Sequence, residues 1–366
     1  MAFGAETLVT GRLGGERTAG CMGRQMDCCL DELFEESERA GLCLAPPDEP
    51  RRRALLIRER RGDLVSPSPG LYARKPFWSG LARREQALCV VRSLSRRHPG
   101  WVFCFSSAAL VHGLEVSYRL LDEVHIVSTR NDVLDGVARH YEELADDEVE
   151  IVRGVPVTSL ERTVFDCVRD LSFPLALAVA DSAVRAGGPT VDYLVHGTRD
   201  RYHGYRNVGR FQAIAGFADG RSENGGESYA RAVMIEQGVM LPELQVEITD
   251  PLDPVRSYRT DYFWELSRIL HETDVAGELD GREKMESAEM LGGRTTAEAF
   301  RRERLRESRL TALGLRVARF TFGEVRRVDP LLRTLDAFGI PRTTAYDDLL
   351  GRIAPGSTCR RWAWQR

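Results

Sequence analysis

The chain has 366 residues, of which 43% are hydrophobic and 29% are charged, so its length suits two or three ordinary domains. Its formal charge of −4, from 51 basic and 55 acidic residues, excludes a uniformly basic coat for nucleic acid. No apolar run approaches the ~20 residues that span a bilayer, and the N-terminus lacks a secretory signal. These features predict a cytoplasmic protein with no membrane partner.

The basic residues and the cysteines give further information about the kind of protein. Lys75 and Lys284 are the only lysines in the sequence, and arginine supplies the other basic residues, as expected of a GC-rich genome. Cys28, Cys29 and Cys43 have no histidine at zinc-finger spacing, so we expect reduced thiols and no zinc site there.

The first 80 residues predict an extension followed by a small helical module. Residues 1–25, rich in Gly and Arg, predict a disordered extension in which Met22 or Met26 is an alternative start. Apolar spacing predicts helices over 27–40 and 51–61, separated by the proline-rich turn 45–50. A β-hairpin follows, with its turn at 66–70. This order predicts a winged helix-turn-helix over residues 26–80.

Residues 51–100 carry a local basic surplus, with 13 Arg or Lys against 3 Asp or Glu. Such a surplus in a chain of net negative charge favours DNA as a partner. Because arginine is abundant throughout, a solvated amphipathic face is the alternative. The candidate DNA ligands lie on the second helix and at the tip of the wing: Arg51, Arg52, Arg53, Arg58, Arg60, Arg61, Ser66 and Ser68.

Residues 81–200 predict an α+β domain that serves as a scaffold. A small-residue helix begins near Ser106, and 122–127 alternates as a strand does. Thr158 and Glu161 have the spacing of a capping box, which predicts a helix over 159–169. A further helix is predicted from Pro174 to Ala186, ending at Gly187 and Gly188.

The last third of the chain contains an acidic cluster. A glycine-rich break over 220–226 predicts a domain boundary, and Glu227 begins the helix that follows it. Three strands are then predicted: 244–248, 258–264 and 275–281. Glu278 and Asp280 lie two apart and therefore share a face of their strand. If the strand that holds Asp261 pairs antiparallel with it, all three carboxylates meet at one end of the sheet.

Three clustered carboxylates repel one another unless a cation relieves the charge, and Mg²⁺ prefers oxygen ligands. We therefore expect Asp261, Glu278 and Asp280 to bind Mg²⁺, with Mn²⁺ as a substitute. Glu227 would hold a second metal or a water, and Lys284 would polarise the water or balance charge on the phosphate. The alternative is a solvated edge strand that ends in an ordinary Asp-Gly turn.

The C-terminal residues carry a resemblance to a known family. Tyr258–Trp264, Val275–Lys284, Glu303–Glu307 and Arg316–Phe320 resemble the restriction-endonuclease-like PD-(D/E)xK superfamily, and most closely its very-short-patch-repair-like branch. The resemblance implies Mg²⁺-dependent hydrolysis of DNA by a domain over 220–330, followed by a tail over 331–366 that contains a short helix. Asp280 occupies the position of the superfamily's lysine, which makes Lys284 the substitute.

The same resemblance raises an expectation about the third strand. Ala276 and Gly277 stand where the superfamily has bulky β-branched residues before the glutamate. Their small size predicts a weaker strand at this position.

The N-terminal residues resemble a second family. Arg60–Leu64, Pro69–Tyr72, Ser107–Leu114 and Val155–Thr163 resemble the winged-helix antitoxin-like regulators of abortive-infection type IV toxin–antitoxin systems. That resemblance implies a DNA-binding regulator whose further partner is a cognate toxin or a second copy of the chain. Together the two modules resemble an actinobacterial fusion.

The expected fold class is α+β, with a winged helix, an α+β middle domain and a C-terminal mixed sheet flanked by helices. The first functional hypothesis is a DNA-binding protein with a Mg²⁺-dependent endonuclease domain, in a setting of phage defence or toxin–antitoxin control. The alternative is a non-catalytic, antitoxin-like transcriptional repressor with a degenerate nuclease fold. A third reading combines the two, with a nuclease that acts only after a trigger.

Overall fold

A computed structural model describes residues 15–129, 136–280 and 296–353. Its helices and three sheets confirm the predicted α+β class. The chain divides into two compact units: the first comprises 1–107, 118–144 and 149–157, and the second comprises 108–117, 145–148 and 158–366. The five domains drawn from the sequence are a finer division that stays a prediction. None of the described helices is long and apolar enough to cross a membrane.

The first unit begins with two helices and a hairpin: α1 (Gly15–Arg39), α2 (Glu49–Arg61), β1 (Leu64–Ser68) and β2 (Leu71–Arg74). Asp48 caps the start of helix α2, because its side chain accepts a hydrogen bond from the Arg51 amide at 2.9 Å. It ends at Gly62, which adopts the left-handed conformation with φ 88°. The predicted second helix and hairpin are therefore confirmed.

The core beneath this module is apolar and continuous. It is built from Leu30, Phe34, Leu44, Leu55, Leu64 and Tyr72. Helix α1 begins at Gly15, so the predicted disordered extension over 1–25 is wrong for 15–25. The helix that Leu30 and Phe34 anchor continues back to Gly15 in spite of the glycines at 15, 20 and 23. Residues 1–14 lie outside the described part of the chain.

The rest of the first unit consists of short helices and a five-stranded sheet. The helices are α3 (Lys75–Gly80) and α4 (Arg83–Arg97), and α5 (Phe105–His112) crosses into the second unit. The sheet has the order β5-β4-β3-β7-β6. Its strands are β3 (Val102–Phe103), β4 (Val124–Val127), β5 (Val137–His140), β6 (Val149–Val152) and β7 (Val155–Thr158).

The second unit contains the helices α6 (Leu160–Asp170), α7 (Phe173–Arg185) and α8 (Val208–Ala215). The predicted capping box is wrong by one residue. Ser159 caps α6 by accepting from the Arg162 amide, whereas the Thr158 hydroxyl bonds that of Thr163 at 2.7 Å. Glu161 instead accepts from the Tyr193 hydroxyl at 2.7 Å, because the helix starts one residue later than the spacing predicts.

Arg162 lies at the centre of a buried ion-pair network in the second unit. Its side chain is fully buried and contacts Glu148 at 3.1 Å and Asp166 at 2.8 Å. A second buried pair joins α7 to the helix that begins at Gly225, because Arg231 donates to both oxygens of Asp181 at 2.8 Å. Buried charges of this kind persist only when they are paired.

The remaining elements form a four-stranded sheet with helices. In chain order they are α9 (Gly225–Glu236), β8 (Glu243–Asp250), β9 (Asp253–Trp264), α10 (Leu266–Leu270), β10 (Val275–Asp280), α11 (Thr296–Ala312) and β11 (Arg316–Thr321). The strand order is β11-β10-β9-β8, with β10 antiparallel to β9 and parallel to β11. The three predicted strands, and their antiparallel pairing at β9 and β10, are confirmed.

The C-terminal segment packs into the core of this sheet. It contains α12 (Phe322–Arg327), α13 (Asp329–Ala337) and α14 (Asp347–Ile353). Leu331, Leu335 and Ile340 are buried with the strands, so the description of 331–366 as a tail is wrong as far as 353. The helical spacing of these apolar residues gives the segment a face to bury.

Candidate functional site

Asp261 and Glu278 lie side by side at one end of the four-stranded sheet. The pairing of β9 with β10 runs from Trp264–Val275 to Tyr262–Gly277, and the next residues on the two strands are Asp261 and Glu278. Residues opposite each other on antiparallel strands share a face of the sheet. Both side chains are buried, with 8% and 7% of the residue exposed.

Asp261 is also part of the sheet's hydrogen bonding. Its Oδ2 accepts from the main-chain amide of Leu279 at 2.9 Å, so the side chain holds β10 just beyond the residues that pair through their main chains. A carboxylate offers about four acceptor positions. One amide contact therefore leaves the chemistry of a metal ligand intact.

Gly277 explains why β10 tolerates small residues before Glu278. A Cβ at this position would lie 2.7 Å from the Trp264 ring and 3.1 Å from the Cβ of Tyr262. The missing bulk is thus supplied by two buried aromatic side chains on the neighbouring strand. The expectation of a weaker strand is wrong, because β10 is a central strand with pairing on both sides.

Two arginines contact the acidic residues of β10. Arg306 Nη2 donates to Glu278 Oε1 at 2.6 Å, and the same nitrogen donates to the Arg259 carbonyl at 2.6 Å. Arg319 Nη1 donates to Asp280 Oδ1 at 3.0 Å, and its Nε lies 3.6 Å from Glu307 Oε2. The first pair is nearly buried and the second is exposed, so they neutralise the acids in different environments.

Glu227 is buried at the start of α9, with 2% of the residue exposed. Its carboxylate accepts from the Glu223 amide at 2.8 Å, from Asn224 Nδ2 at 2.5 Å and from Gln245 Nε2 at 3.1 Å. Its main-chain carbonyl accepts from the hydroxyl of Tyr262. These contacts give Glu227 a structural role, and its service to a metal or a water stays a prediction.

Gln245 has an uncommon backbone conformation for a strand residue, with φ 57°. Its neighbours on β8 pair with Tyr262 and Thr260, so its position on β8 corresponds to Asp261 on β9. A left-handed residue without glycine's freedom costs on the order of 1–3 kcal/mol, and such strain concentrates at functional sites. Gln245 thus connects Glu227 to the strand position opposite Asp261.

The donor chemistry fits Mg²⁺, although the described residues do not form a closed cage. Within 15–129, 136–280 and 296–353, no group of three or more His, Cys, Asp or Glu could hold a metal ion. Mg²⁺ needs fewer protein ligands than that, because it keeps several waters and takes one or two carboxylates plus phosphate oxygens. Asp261 and Glu278 satisfy this requirement, and Asp280 is directed to Arg319. Lys284 lies outside the described residues.

The predicted DNA ligands of α2 fall into three groups. Arg51 pairs with Asp48, and Arg52 and Arg53 pair with Glu49, in ion pairs on the helix surface. Arg58 is half-buried, pairs with Asp31 at 3.0 Å, and stacks over Phe34 with 5.6 Å to the ring centroid. Arg60 and Arg61 are exposed and have no ion pair within the described part of the chain. This last pair is the best placed to meet phosphate.

The hairpin after α2 is held by contacts of its own. The Ser66 hydroxyl bonds the main-chain carbonyls of Ser68 and Leu71 at 3.3 and 3.1 Å, and Ser68 is half-buried. Arg97 of α4 donates to the carbonyls of Pro69 and Gly70 at the turn. The predicted serines therefore shape the wing, and Arg97 adds a cation at its tip.

Sequence reasoning missed Arg306, Arg319 and Gln245 as members of the site. Arginine is so common in this sequence that its presence near an acidic residue does not indicate a functional role. The place of the two arginines opposite the acids depends on how α11 and β11 lie against β10. Gln245 carries no pattern in the sequence, because its strain is a property of the backbone.

Comparison with known proteins identifies distant relatives without a described function. Two uncharacterised proteins of Mycobacterium tuberculosis, from strains CDC 1551 / Oshkosh and ATCC 25618 / H37Rv, are each 27% identical over 276 residues. The matched region covers 75% of this chain and 92% of each relative. No family model matches the chain. No solved structure matches it either.

Proposed function

We propose that this chain is a DNA-binding protein whose second unit hydrolyses DNA phosphodiester bonds with Mg²⁺. The observation that carries the proposal is the placement of Asp261 and Glu278 as adjacent residues on β9 and β10. The order of α9, β8, β9, β10, α11 and β11 supports it, because apart from the five-residue helix α10 between β9 and β10 it follows the helix, strands, helix and strand that the restriction-endonuclease-like resemblance implies.

In this proposal Asp261 and Glu278 hold the cation, with Asp280 assisting at the end of β10. When bound, Mg²⁺ would activate a water and stabilise negative charge on the phosphate, and Mn²⁺ would substitute for it. The water oxygen forms a bond to phosphorus as one ester P–O bond breaks, and the departing oxygen takes a proton. Glu227 keeps the start of α9 in place through its contacts with Asn224 and Gln245.

The first unit would supply attachment to DNA. Arg60 and Arg61 are exposed at the end of α2, directly before the hairpin, and would contact the phosphate backbone. Arg51, Arg52 and Arg53 would exchange their surface acids for phosphate, because exposed ion pairs are worth little. The proposal includes a cytoplasmic location, DNA as the partner, and a cognate toxin or a second copy of the chain as a further partner.

The test is cleavage of supercoiled plasmid in Mg²⁺ or Mn²⁺ by the full chain, Asp261→Asn and Glu278→Gln. Both changes keep an oxygen acceptor and remove the charge. We expect each to lower cleavage by about a hundredfold or more. Asp336→Asn, which alters a surface pair with Arg342, is the matched control and should cut normally. Cleavage by none of the proteins, or equally by all, would reject the proposal.

A specific observation favours a second candidate, a non-catalytic repressor. Arg306 and Arg319 already neutralise Glu278 and Asp280, as expected of a nuclease fold retained as a scaffold. This candidate predicts tight binding to the DNA upstream of the chain's own coding sequence. Measured against random DNA at several salt concentrations, a salt-sensitive but sequence-blind interaction would contradict it, because phosphate contacts alone carry no sequence information.

A further inference from the structure

We propose that Arg306 is the internal counter-cation of the carboxylate site, which neutralises Glu278 until a divalent cation takes its place. The inference rests on the proposed metal-dependent function and assigns a role to a residue outside the predicted set. In this role Arg306, rather than Lys284, supplies the positive charge beside the carboxylates.

The position of the guanidinium supports this role. Arg306 Nη2 bridges the two strands of the site, since it bonds Glu278 Oε1 on β10 and the Arg259 carbonyl on β9, each at 2.6 Å. Arg259 lies two residues from Asp261, so the positive charge sits where the two carboxylate-bearing strands meet. Helix α11 thus places a positive charge on one oxygen of a proposed metal ligand.

Burial makes the contact consequential. The side chains of Arg306 and Glu278 are 15% and 9% exposed, in contrast to 26% and 47% for Arg319 and Asp280. A buried ion pair is weakly screened by solvent, so the contact between Arg306 and Glu278 has a larger electrostatic effect than the exposed pair of Arg319 with Asp280.

A guanidinium and a divalent cation compete at this carboxylate. A carboxylate oxygen can accept a hydrogen bond and still ligate a metal, so the competition arises from charge: like charges a few ångströms apart repel strongly where water is scarce. We therefore expect a bound cation to weaken the contact of Arg306 with Glu278 and to release the guanidinium. The released guanidinium has planar, paired donors that suit a phosphate, so it would next hold the negative charge of the DNA backbone.

The role predicts opposite effects on binding and on cleavage. Arg306→Gln should bind Mn²⁺ more tightly, on the order of tenfold, because a competing positive charge is removed. The same variant should cut plasmid more slowly, since nothing replaces the guanidinium at the phosphate. Arg306→Lys keeps the charge and should bind Mn²⁺ like the native chain. A purely structural role would instead weaken binding and cleavage together.

The experiment is calorimetric titration of MnCl₂ into the full chain and its variants, with plasmid cleavage measured in parallel. Arg268→Gln, which removes an exposed arginine paired with Glu265, is the matched control and should stay within about twofold of the native affinity. Arg306→Met, which keeps the unbranched stem, is titrated as well, so that a folding defect caused by glutamine cannot decide the result.

Each outcome bears on the proposal. Tighter Mn²⁺ binding in Arg306→Gln and Arg306→Met supports the counter-cation, even if no protein cuts DNA, in which case only the proposed nuclease activity fails. Unchanged or weaker binding in both variants, or no binding by any protein, overturns it. If both variants bind Mn²⁺ more tightly and cut DNA as well as the native chain, the counter-cation stands and the transfer of Arg306 to the phosphate is wrong.

Discussion

The arginines of α2 and the arginine beside β10 have the same chemistry in different surroundings. Arg52 and Arg53 share the exposed Glu49, in pairs whose side chains are 49–75% exposed. Arg306 holds Glu278 where little of either side chain meets solvent. Water and salt screen the first kind of pair, so its partner is easily exchanged. The second kind fixes geometry, so its loss changes the structure around it.

The largest effect should come from the most buried arginine. Arg162→Ala leaves Glu148 and Asp166 without their shared cation, and should lower the free energy of unfolding by about 3–5 kcal/mol. Arg52→Ala is the surface counterpart and should cost less than about 1 kcal/mol. Urea unfolding of both variants checks the contrast. Similar losses of free energy of unfolding at the two positions would contradict the difference between buried and exposed ion pairs.

An uncharged substitution tests whether the packing of apolar groups beside Asp261 and Glu278 affects stability as strongly as the ion pairs do. Gly277→Val places a branched side chain against the Trp264 ring and should cost about 3 kcal/mol through overpacking. Gly351→Val is the control, because nothing lies within 4 Å of a Cβ there. The two are compared by thermal unfolding. A tolerated valine at 277 would show that Trp264 moves aside freely.

The buried His125 of the first unit should make the stability of the protein depend on pH. Burial, with the nearby His140, lowers the pKa of His125 to about 3, from 6.5. The folded state thus favours the neutral ring. The stabilisation that this gives is fully present above pH 6.5, the pKa of an unperturbed histidine, and is lost as the pH falls toward 3. Between pH 7.5 and 5 the free energy of unfolding should fall by about 2 kcal/mol.

The matching variant is His125→Gln, which keeps a polar side chain that does not titrate. Urea midpoints at pH 7.5 and 5 should fall further apart in the native chain than in the variant. Equal pH dependence in the two proteins would mean that His125 is protonated without cost in the fold.

The smallest effect should appear in DNA binding by α2. Arg60→Ala and Arg61→Ala should each lower affinity by about 1 kcal/mol and reduce the salt dependence of log K by about one contact. Arg58→Ala is the control, because its guanidinium is engaged by Asp31 and Phe34. It should lower stability and leave the salt dependence alone. A reduced salt dependence in Arg58→Ala would contradict this division of roles.

The helices and strands of the site could be predicted because they depend on local patterns. Short strand-like runs between turns predicted β9 and β10, and the spacing of two placed Glu278 and Asp280 on one face. The cap of α6 was misplaced because Thr158 and Ser159 are both good caps. Only the packed position of Thr163 decides between them.

What could not be predicted is the set of contacts made between distant segments. Arg306 follows Glu278 by 28 residues, and its partner is chosen by the docking of α11. The apolar residues of 331–340 showed helical spacing but gave no sign of the core that they join. The left-handed backbone of Gln245 is likewise a feature of the folded chain that no sequence pattern indicates.

The hydrogen bond from the Leu279 amide to Asp261 has a consequence for how such chains diverge. The aspartate side chain connects β9 to β10 where the main-chain pairing of these strands stops, so selection for folding alone would preserve it. A descendant that had lost the proposed reaction would still keep this aspartate, whereas Glu278 and Arg306 could be replaced together by apolar residues of similar volume. Among related chains, joint retention of Glu278 and Arg306 should therefore report a working site better than the aspartate does.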